Sequence, residues 1–485
     1  MAEAKVETGA ETRNALLQIK DLKMHFQLKR TKLFQKERPV VKAVDGVSID
    51  IYEGETFGLV GESGCGKSTL GRVILRLYDQ TGGTVRYRGV TLNDYAPRYA
   101  FRDTAGIPSA KGTPEEIAAN FPAQVHIAGG LLLSDNLSEL AHAVRANLLA
   151  VKEVNDLQTA CRLYEIKRDA YLESGELSSS EKRKLAKIES RITQLGADIA
   201  KAEEVRDRCD AVLSEMRSAC SGKAGYDHLE EHRDVSIDLS RLSKEEMRRQ
   251  RRHLQIIFQD PYSSLNQRFS VGQIISESLV AHNMYRRGSR QLEEYTLGMM
   301  DKCGLQNYFL HRYPHQFSGG QRQRICIARA LALQPKFVVC DEAVSALDVS
   351  IQSQIINLLM DLKESANLTY LFISHDLSAV KFISDRVAVM YLGNIVELGE
   401  SGRIFEEPLH PYTNSLLEAI PTTDEASNKA LQILEGDIPS PINPPPGCKF
   451  HTRCRYATDI CKSEEPEWRE LRPKHWVACH FPVGT

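Results

Sequence analysis

The segment Gly61-Glu-Ser-Gly-Cys-Gly-Lys67-Ser68 fits the spacing G-x4-G-K-[ST]. Its glycines let backbone N–H groups turn inward around an anion, so Gly61, Ser63, Gly64, Cys65, Gly66, Lys67, Ser68 and Thr69 form a candidate phosphate-binding set. In this reading Lys67 reaches the β- and γ-phosphates of a nucleotide and the Ser68 hydroxyl meets Mg²⁺. A second candidate is Phe337-Val-Val-Cys-Asp341-Glu342, an apolar run ending in two acids. Asp341 is placed to help hold Mg²⁺, and Glu342 to polarise an attacking water. His375 closes another apolar run and would contact the γ-phosphate and orient that water; Gln259, after Gln255-Ile-Ile-Phe258, offers a carbonyl oxygen to Mg²⁺ or water. Ser318-Gly319-Gly320-Gln321 precedes a helical run and is a second anion-binding arrangement. One chain does not need two such sites for one phosphate. The economical solution is that this one faces the nucleotide of another subunit.

Such groups need strands that end in loops and helices that begin there. Thr56-Phe-Gly-Leu-Val60 supplies the strand before the glycine loop, and residues 69–76 the helix after it, whose N-terminus adds a positive dipole end. Residues 337–341 suit a parallel strand buried on both faces, and ligands of open α/β sheets bind beyond the carboxyl ends of such strands.

The chain has 485 residues, with 62 Lys and Arg against 64 Asp and Glu, so its net charge of −2 argues against a generic polyanion binder. No apolar run reaches the roughly 18 residues of a membrane span, and the first residues lack the apolar core of a secretory signal; a cytosolic location is expected. Eleven cysteines in a reducing compartment argue against a disulfide framework.

Composition divides the chain at 15–92, 93–232, 233–420 and 421–485. In the second region Leu137, Leu140, Val144, Leu148 and Val151 mark one helix, and Leu185, Ile188, Ile192, Leu195 and Ile199 another. Ser178 and Glu181 match a capping box opening the second, and Glu173-Ser-Gly175 offers the turn between them. Two amphipathic helices of this kind most simply pack antiparallel, as a structural arm or a binding arm. Residues 96–132 carry no clear signal.

In chain order, the phosphate loop, Gln259, Phe317-Ser-Gly-Gly-Gln321, Asp341-Glu342, Ser345-Ala-Leu-Asp348 and His375 resemble the Walker A, Q-loop, signature, Walker B, D-loop and H-loop of the ABC-transporter ATPases. The resemblance covers about 15–92 and 233–400. It implies an α/β P-loop NTPase core with a β-subdomain and a helical signature subdomain, working as a head-to-tail dimer around two ATPs. Mg²⁺ then falls to Ser68, Gln259 and Asp341, and catalysis to Glu342 and His375. An aromatic residue near the N-terminus usually stacks on adenine; Phe26 is the first choice and Phe34 the second. Residues 93–232 depart from the family as a large insertion.

Residues 258–266, 389–397 and 410–413, together with the tail, look like the ATPases of bacterial dipeptide and oligopeptide importers. That resemblance implies a second ATPase subunit (a paralogue or a second copy), two membrane permeases and, indirectly, an extracytoplasmic solute-binding protein. It sets the chain on the cytoplasmic face of the inner membrane and leaves the insertion for an extra partner. Cys448, Cys454, Cys461 and Cys479, spaced C-x5-C-x6-C-x17-C, can hold zinc or a [4Fe–4S] cluster, with His451, His475 and His480 as alternative ligands. The family resemblance favours the cluster. A soluble ABC ATPase acting on nucleic acid is the alternative to the importer; Arg248-Arg-Gln-Arg-Arg252 reads more simply as a solvated helix face.

Overall fold

The structure is a computed structural model that describes residues 14–28, 38–173, 177–419 and 436–484. Phe34, and Ser174 and Gly175 of the expected turn, lie outside the described residues. Contacts divide the chain into two compact units, residues 1–85 with 336–485, and residues 86–335. These divisions differ from the compositional ones at 93, 233 and 421. Composition records what a segment is made of, whereas a unit is defined by what the segment packs against.

The first unit is built on a sheet whose strands run in the order Trp468–Arg472, His475–Ala478, Asn394–Glu400, Arg386–Tyr391, Thr56–Val60, Thr369–Ile373 and Phe337–Asp341. Thr56–Val60 is parallel to both of its neighbours, and Phe337–Asp341 is parallel to Thr369–Ile373. All five residues of each of these three strands are buried, as apolar runs covered on both faces must be. Parallel neighbours need a crossover. The helix Val349–Ala366 supplies one, between the strands Phe337–Asp341 and Thr369–Ile373. Ala15–Gln27 and Val40–Tyr52 pair antiparallel with several register shifts.

The Cys-containing tail is not a separate region. Its strands His475–Ala478 and Trp468–Arg472 extend the sheet antiparallel beyond Asn394–Glu400. A buried carboxylate fastens them. Glu397 accepts from His475 Nε2 at 2.7 Å, from the Leu409 N–H at 2.7 Å and from the His410 N–H at 2.9 Å. Burial pulls the His410 imidazole down from 6.5 to about 4, against the opposing pull of Glu397. The unfolded chain therefore takes up a proton below its ordinary value that folded His410 refuses. Its contribution is complete above about pH 6.5 and is lost as pH falls towards 4, by on the order of 1 kcal/mol per pH unit. Denaturant midpoints measured from pH 7 to 5 should decline, and His410→Gln should flatten the decline; an unchanged slope in the variant would show that another group causes it.

In the second unit the helices Leu137–Leu172 and Ser179–Cys220 span about 54 and 63 Å at 1.5 Å per residue. They pack against each other, and Asn147 donates to Asp210 at 2.5 Å, which pairs early residues of one with late residues of the other and makes the pair antiparallel. Ser178 accepts from the Glu181 N–H while Glu181 accepts from the Ser178 N–H, the reciprocal cap expected from the sequence. Leu140, Val144, Leu148 and Val151 are buried, but among Leu185, Ile188, Ile192, Leu195 and Ile199 only Leu195 is. A two-helix pair has too little surface to cover a whole apolar stripe.

Residues 96–132, silent in the sequence, form the short helices Arg98–Thr104, Pro114–Asn120 and Pro122–Ala128. Arg241 clamps the first by donating to both oxygens of Asp103 at 2.7 and 2.6 Å, and the Tyr99 hydroxyl accepts the Asp238 N–H at 2.9 Å. The helix Gly319–Leu331 packs against Val271–Ala281, Arg290–Lys302 and Pro261–Ser264. Among the described residues, no helix is long and apolar enough to cross a membrane.

Candidate functional site

In the first unit, the strands Thr56–Val60, Phe337–Asp341 and Thr369–Ile373 stand side by side and deliver Gly61, Glu342 and His375 just beyond their carboxyl ends. The loop between Val60 and the helix Lys67–Ile74 turns on glycines. Gly61 has φ +150° and Gly66 φ +110°, where side chains are disfavoured. A Cβ at Gly61 would stand 2.2 Å from the Met390 carbonyl oxygen, and one at Gly66 2.1 Å from that of Ala43. Any side chain at either position would force the loop away from the strands that support it.

Lys67 is 4% exposed, and its ammonium donates to the carbonyl oxygens of Gly61 at 2.6 Å and Glu62 at 2.9 Å. It also stands 3.8 Å from the Cys65 sulfur. Burial pushes the Cys65 thiol up, with Lys67 opposing. The Ser68 hydroxyl donates to Asp341 Oδ1 at 2.5 Å, and Arg72 pairs with Asp341 Oδ2 at 3.2 Å. Asp341 is wholly buried. Glu342 adopts φ +50° and its N–H is held by the Ile373 carbonyl at 3.0 Å, while its carboxylate stands 3.3 Å from His375 Nδ1. Ser345 Oγ donates to the Glu342 carbonyl at 3.0 Å, and Asp348 begins the helix Val349–Ala366. A hydroxyl beside a buried carboxylate is a set of hard oxygen ligands, which suits a small divalent cation.

Lys67, Ser68, Asp341, Glu342 and His375 are thus brought together. Phe26 is half-buried and meets Tyr78 edge-on at 5.5 Å between ring centroids. Gln259 and Ser318–Gln321 belong to the second unit. Gln259 is exposed just past the strand Leu254–Ile257, and Asp260 caps the turn after it by accepting from the Tyr262 N–H at 2.8 Å. Ser318 caps the helix Gly319–Leu331 by accepting from the Gln321 N–H at 3.4 Å, and Gln321 accepts from the Ser318 N–H at 3.1 Å. Ser318 and Gly319 are exposed at that helix N-terminus, while Gly320 is buried.

Among the described residues, no group of three or more His, Cys, Asp or Glu side chains converges to hold a metal. Cys448 and Cys461 are joined through their backbones, N–H to carbonyl, at 2.8 Å. Burial, reinforced by the charge of the neighbouring cysteines of the same four, raises the Cys454 thiol and pushes Cys448 up to about 11 and Cys479 up to about 12. The histidines offered as alternatives are engaged elsewhere: His451 with the Cys448 carbonyl, His475 with Glu397 and His480 with the Glu464 carbonyl.

Two arginines escaped the sequence reading. Arg72 had a signal, because it lies four residues after Ser68 and so shares its helix face. Arg453 had none. It donates to Glu62 of the phosphate loop at 2.8 and 3.0 Å across 391 residues of sequence.

Comparison with known proteins gives two family matches. The family described as "ABC transporter" matches residues 44–194 and 218–345, and "Oligopeptide/dipeptide transporter, C-terminal region" matches residues 396–461. The chain is 35% identical to the oligopeptide transport ATP-binding protein AppF of Bacillus subtilis over 477 residues, covering 97% of this chain and 99% of the relative. It is 37% identical to the putative oligopeptide transport ATP-binding protein YkfD of the same organism over 470 residues, covering 96% and 95%. It is 34% identical to the oligopeptide transport ATP-binding protein OppF of Escherichia coli over 472 residues, covering 97% of each.

Proposed function

Because this chain belongs to the ABC transporter ATP-binding family and carries the C-terminal region of oligopeptide and dipeptide transporters, we propose that it is the ATP-hydrolysing subunit of a peptide importer. The observation that carries this reading is the convergence of Lys67, Ser68, Asp341, Glu342 and His375 at the carboxyl ends of three neighbouring parallel strands. Lys67, already held by two loop carbonyls, binds the β- and γ-phosphates, and the backbone of residues 61–69 surrounds them. Ser68 and Asp341 would hold Mg²⁺, which when bound neutralises developing phosphate charge. Glu342 takes the proton of the attacking water, and His375, 3.3 Å from its carboxylate, contacts the γ-phosphate and orients that water. Phe26 stacks on adenine. Ser318, Gly319, Gly320 and Gln321, opening a 13-residue helix with Ser318 and Gly319 exposed, face the ATP of a second ATPase subunit.

On this reading the chain is peripheral at the cytoplasmic face of the membrane, with two permeases and, across the membrane, a solute-binding protein. The helix pair 137–220 is an arm inserted into the ATPase. It exposes Leu149, Leu163, Leu172, Val205 and Val212, and is the surface we assign to any additional subunit. The nucleic-acid alternative is not favoured, since the relatives matched over nearly their whole length are transport ATP-binding proteins. The test is mass spectrometry of what co-purifies with the tagged chain from mild-detergent membranes. Two permeases and a second ATPase are expected; a soluble homodimer carrying nucleic acid and no permease would overturn the proposal.

A further inference from the structure

Glu62, the second residue of the phosphate loop, is gripped from the C-terminal part of the first unit. Arg453 Nη1 donates to its Oε2 at 2.8 Å and Nη2 to its Oε1 at 3.0 Å, a two-pronged pair. The Arg453 side chain is only 5% exposed, so water screens this pair little. The Tyr412 hydroxyl accepts the Glu62 N–H at 2.9 Å, and Tyr412 is wholly buried. Beneath them Tyr391, Tyr412 and Phe450 pack with centroids 4.7 to 5.3 Å apart. Glu62 in turn supplies one of the two carbonyls that hold the Lys67 ammonium. A single loop residue therefore joins Arg453, Tyr412 and the phosphate-facing lysine.

A glycine-rich loop left to itself samples many backbone states, and ordering it would be charged against nucleotide binding. Anchoring Glu62 at both its backbone and its carboxylate removes that freedom in advance. We propose that Arg453 and Tyr412 are positioning residues through which the C-terminal region sets the affinity of the phosphate loop for ATP. Neither touches the phosphates; each acts through Glu62. This inference rests on the reading of the loop as the ATP site.

The test uses the full chain, a fluorescent ATP analogue for affinity, and steady-state ATP hydrolysis. Arg453→Ala should weaken ATP binding and raise KM about tenfold with kcat changed less than about twofold, the size expected for losing a charge-assisted pair at one remove from the ligand. Arg453→Lys, which keeps the charge but not the two-pronged geometry, should recover part of the loss. Glu62→Ala should match Arg453→Ala, and the double variant should be no worse than either single one. A merely structural arginine would lower the melting temperature without this split between KM and kcat. ATP affinity in Arg453→Ala equal to the parent's, or full additivity in the double variant, would overturn the proposal. If Arg453→Ala does not fold, Glu62→Ala removes the same pair from the loop side and decides the matter. A parent chain that binds no ATP would instead sink the reading of the loop itself.

Discussion

Glu342→Gln should still bind ATP while its turnover falls about 10²- to 10³-fold, the usual share of a positioned general base. The substitution keeps side-chain size and removes only the ability to accept the proton. The geometry that aims Glu342 is largely main-chain. Its backbone sits at φ +50°, its N–H is tied to the Ile373 carbonyl at 3.0 Å, and Ser345 Oγ bonds its own carbonyl. A glutamine inherits all of this, including a position 3.3 Å from His375 Nδ1 occupied by its amide rather than a carboxylate. Nucleotide titration and single-turnover hydrolysis on one preparation separate the two effects. Unchanged ATP affinity with a collapsed rate is the expected pair of results, and near-normal turnover would remove Glu342 from the role of base.

Lys67→Ala should raise the ATP dissociation constant by about 100-fold or more, because it removes the one phosphate-directed charge the loop holds in place. The buried ammonium is held by the Gly61 and Glu62 carbonyls, so the loop itself orders the side chain that meets the phosphates. The same substitution takes the ammonium donor from the Gly61 carbonyl, while the Glu62 carbonyl keeps the Cys65 N–H at 3.3 Å; the lost bond costs about 1–3 kcal/mol where no water replaces it. Calorimetric titration and thermal melts with and without ATP distinguish the effects. The parent should gain melting temperature with ATP and the variant should not. An affinity within about threefold of the parent's would contradict the role given to Lys67.

Much of the site was legible in the sequence because its determinants are local. A loop of glycines between an apolar run and a helix needs positive φ at set positions, and Gly61 and Gly66 adopt it. Four apolar residues followed by two acids have few places to go but a buried parallel strand, and residues 337–341 are all buried. The cap of Ser178 with Glu181 spans three residues, so pattern alone locates it. The resemblance to one family's motif order is what singled out Gln259 and Ser318–Gln321, whose roles composition could not have suggested.

Other features had no local cause. Residues 96–132 are organised by Asp103 and Tyr99 meeting partners 138 and 139 residues away, and no window of sequence contains both ends of such a contact. The cysteine spacing names four thiols, but only the fold brings Cys448, Cys454 and Cys461 near enough to act on Cys479. What the sequence by itself determined is the chemistry available and the short-range geometry: which residues can bind phosphate, where the chain must turn, which runs must be buried. Tertiary structure alone decided that Ser68 meets Asp341 across 273 residues and that Arg453 reaches Glu62 across 391. The physical reason is that dihedral preference and periodicity act over a few residues, whereas a hydrogen bond between distant positions exists only once the whole sheet has set its strand order.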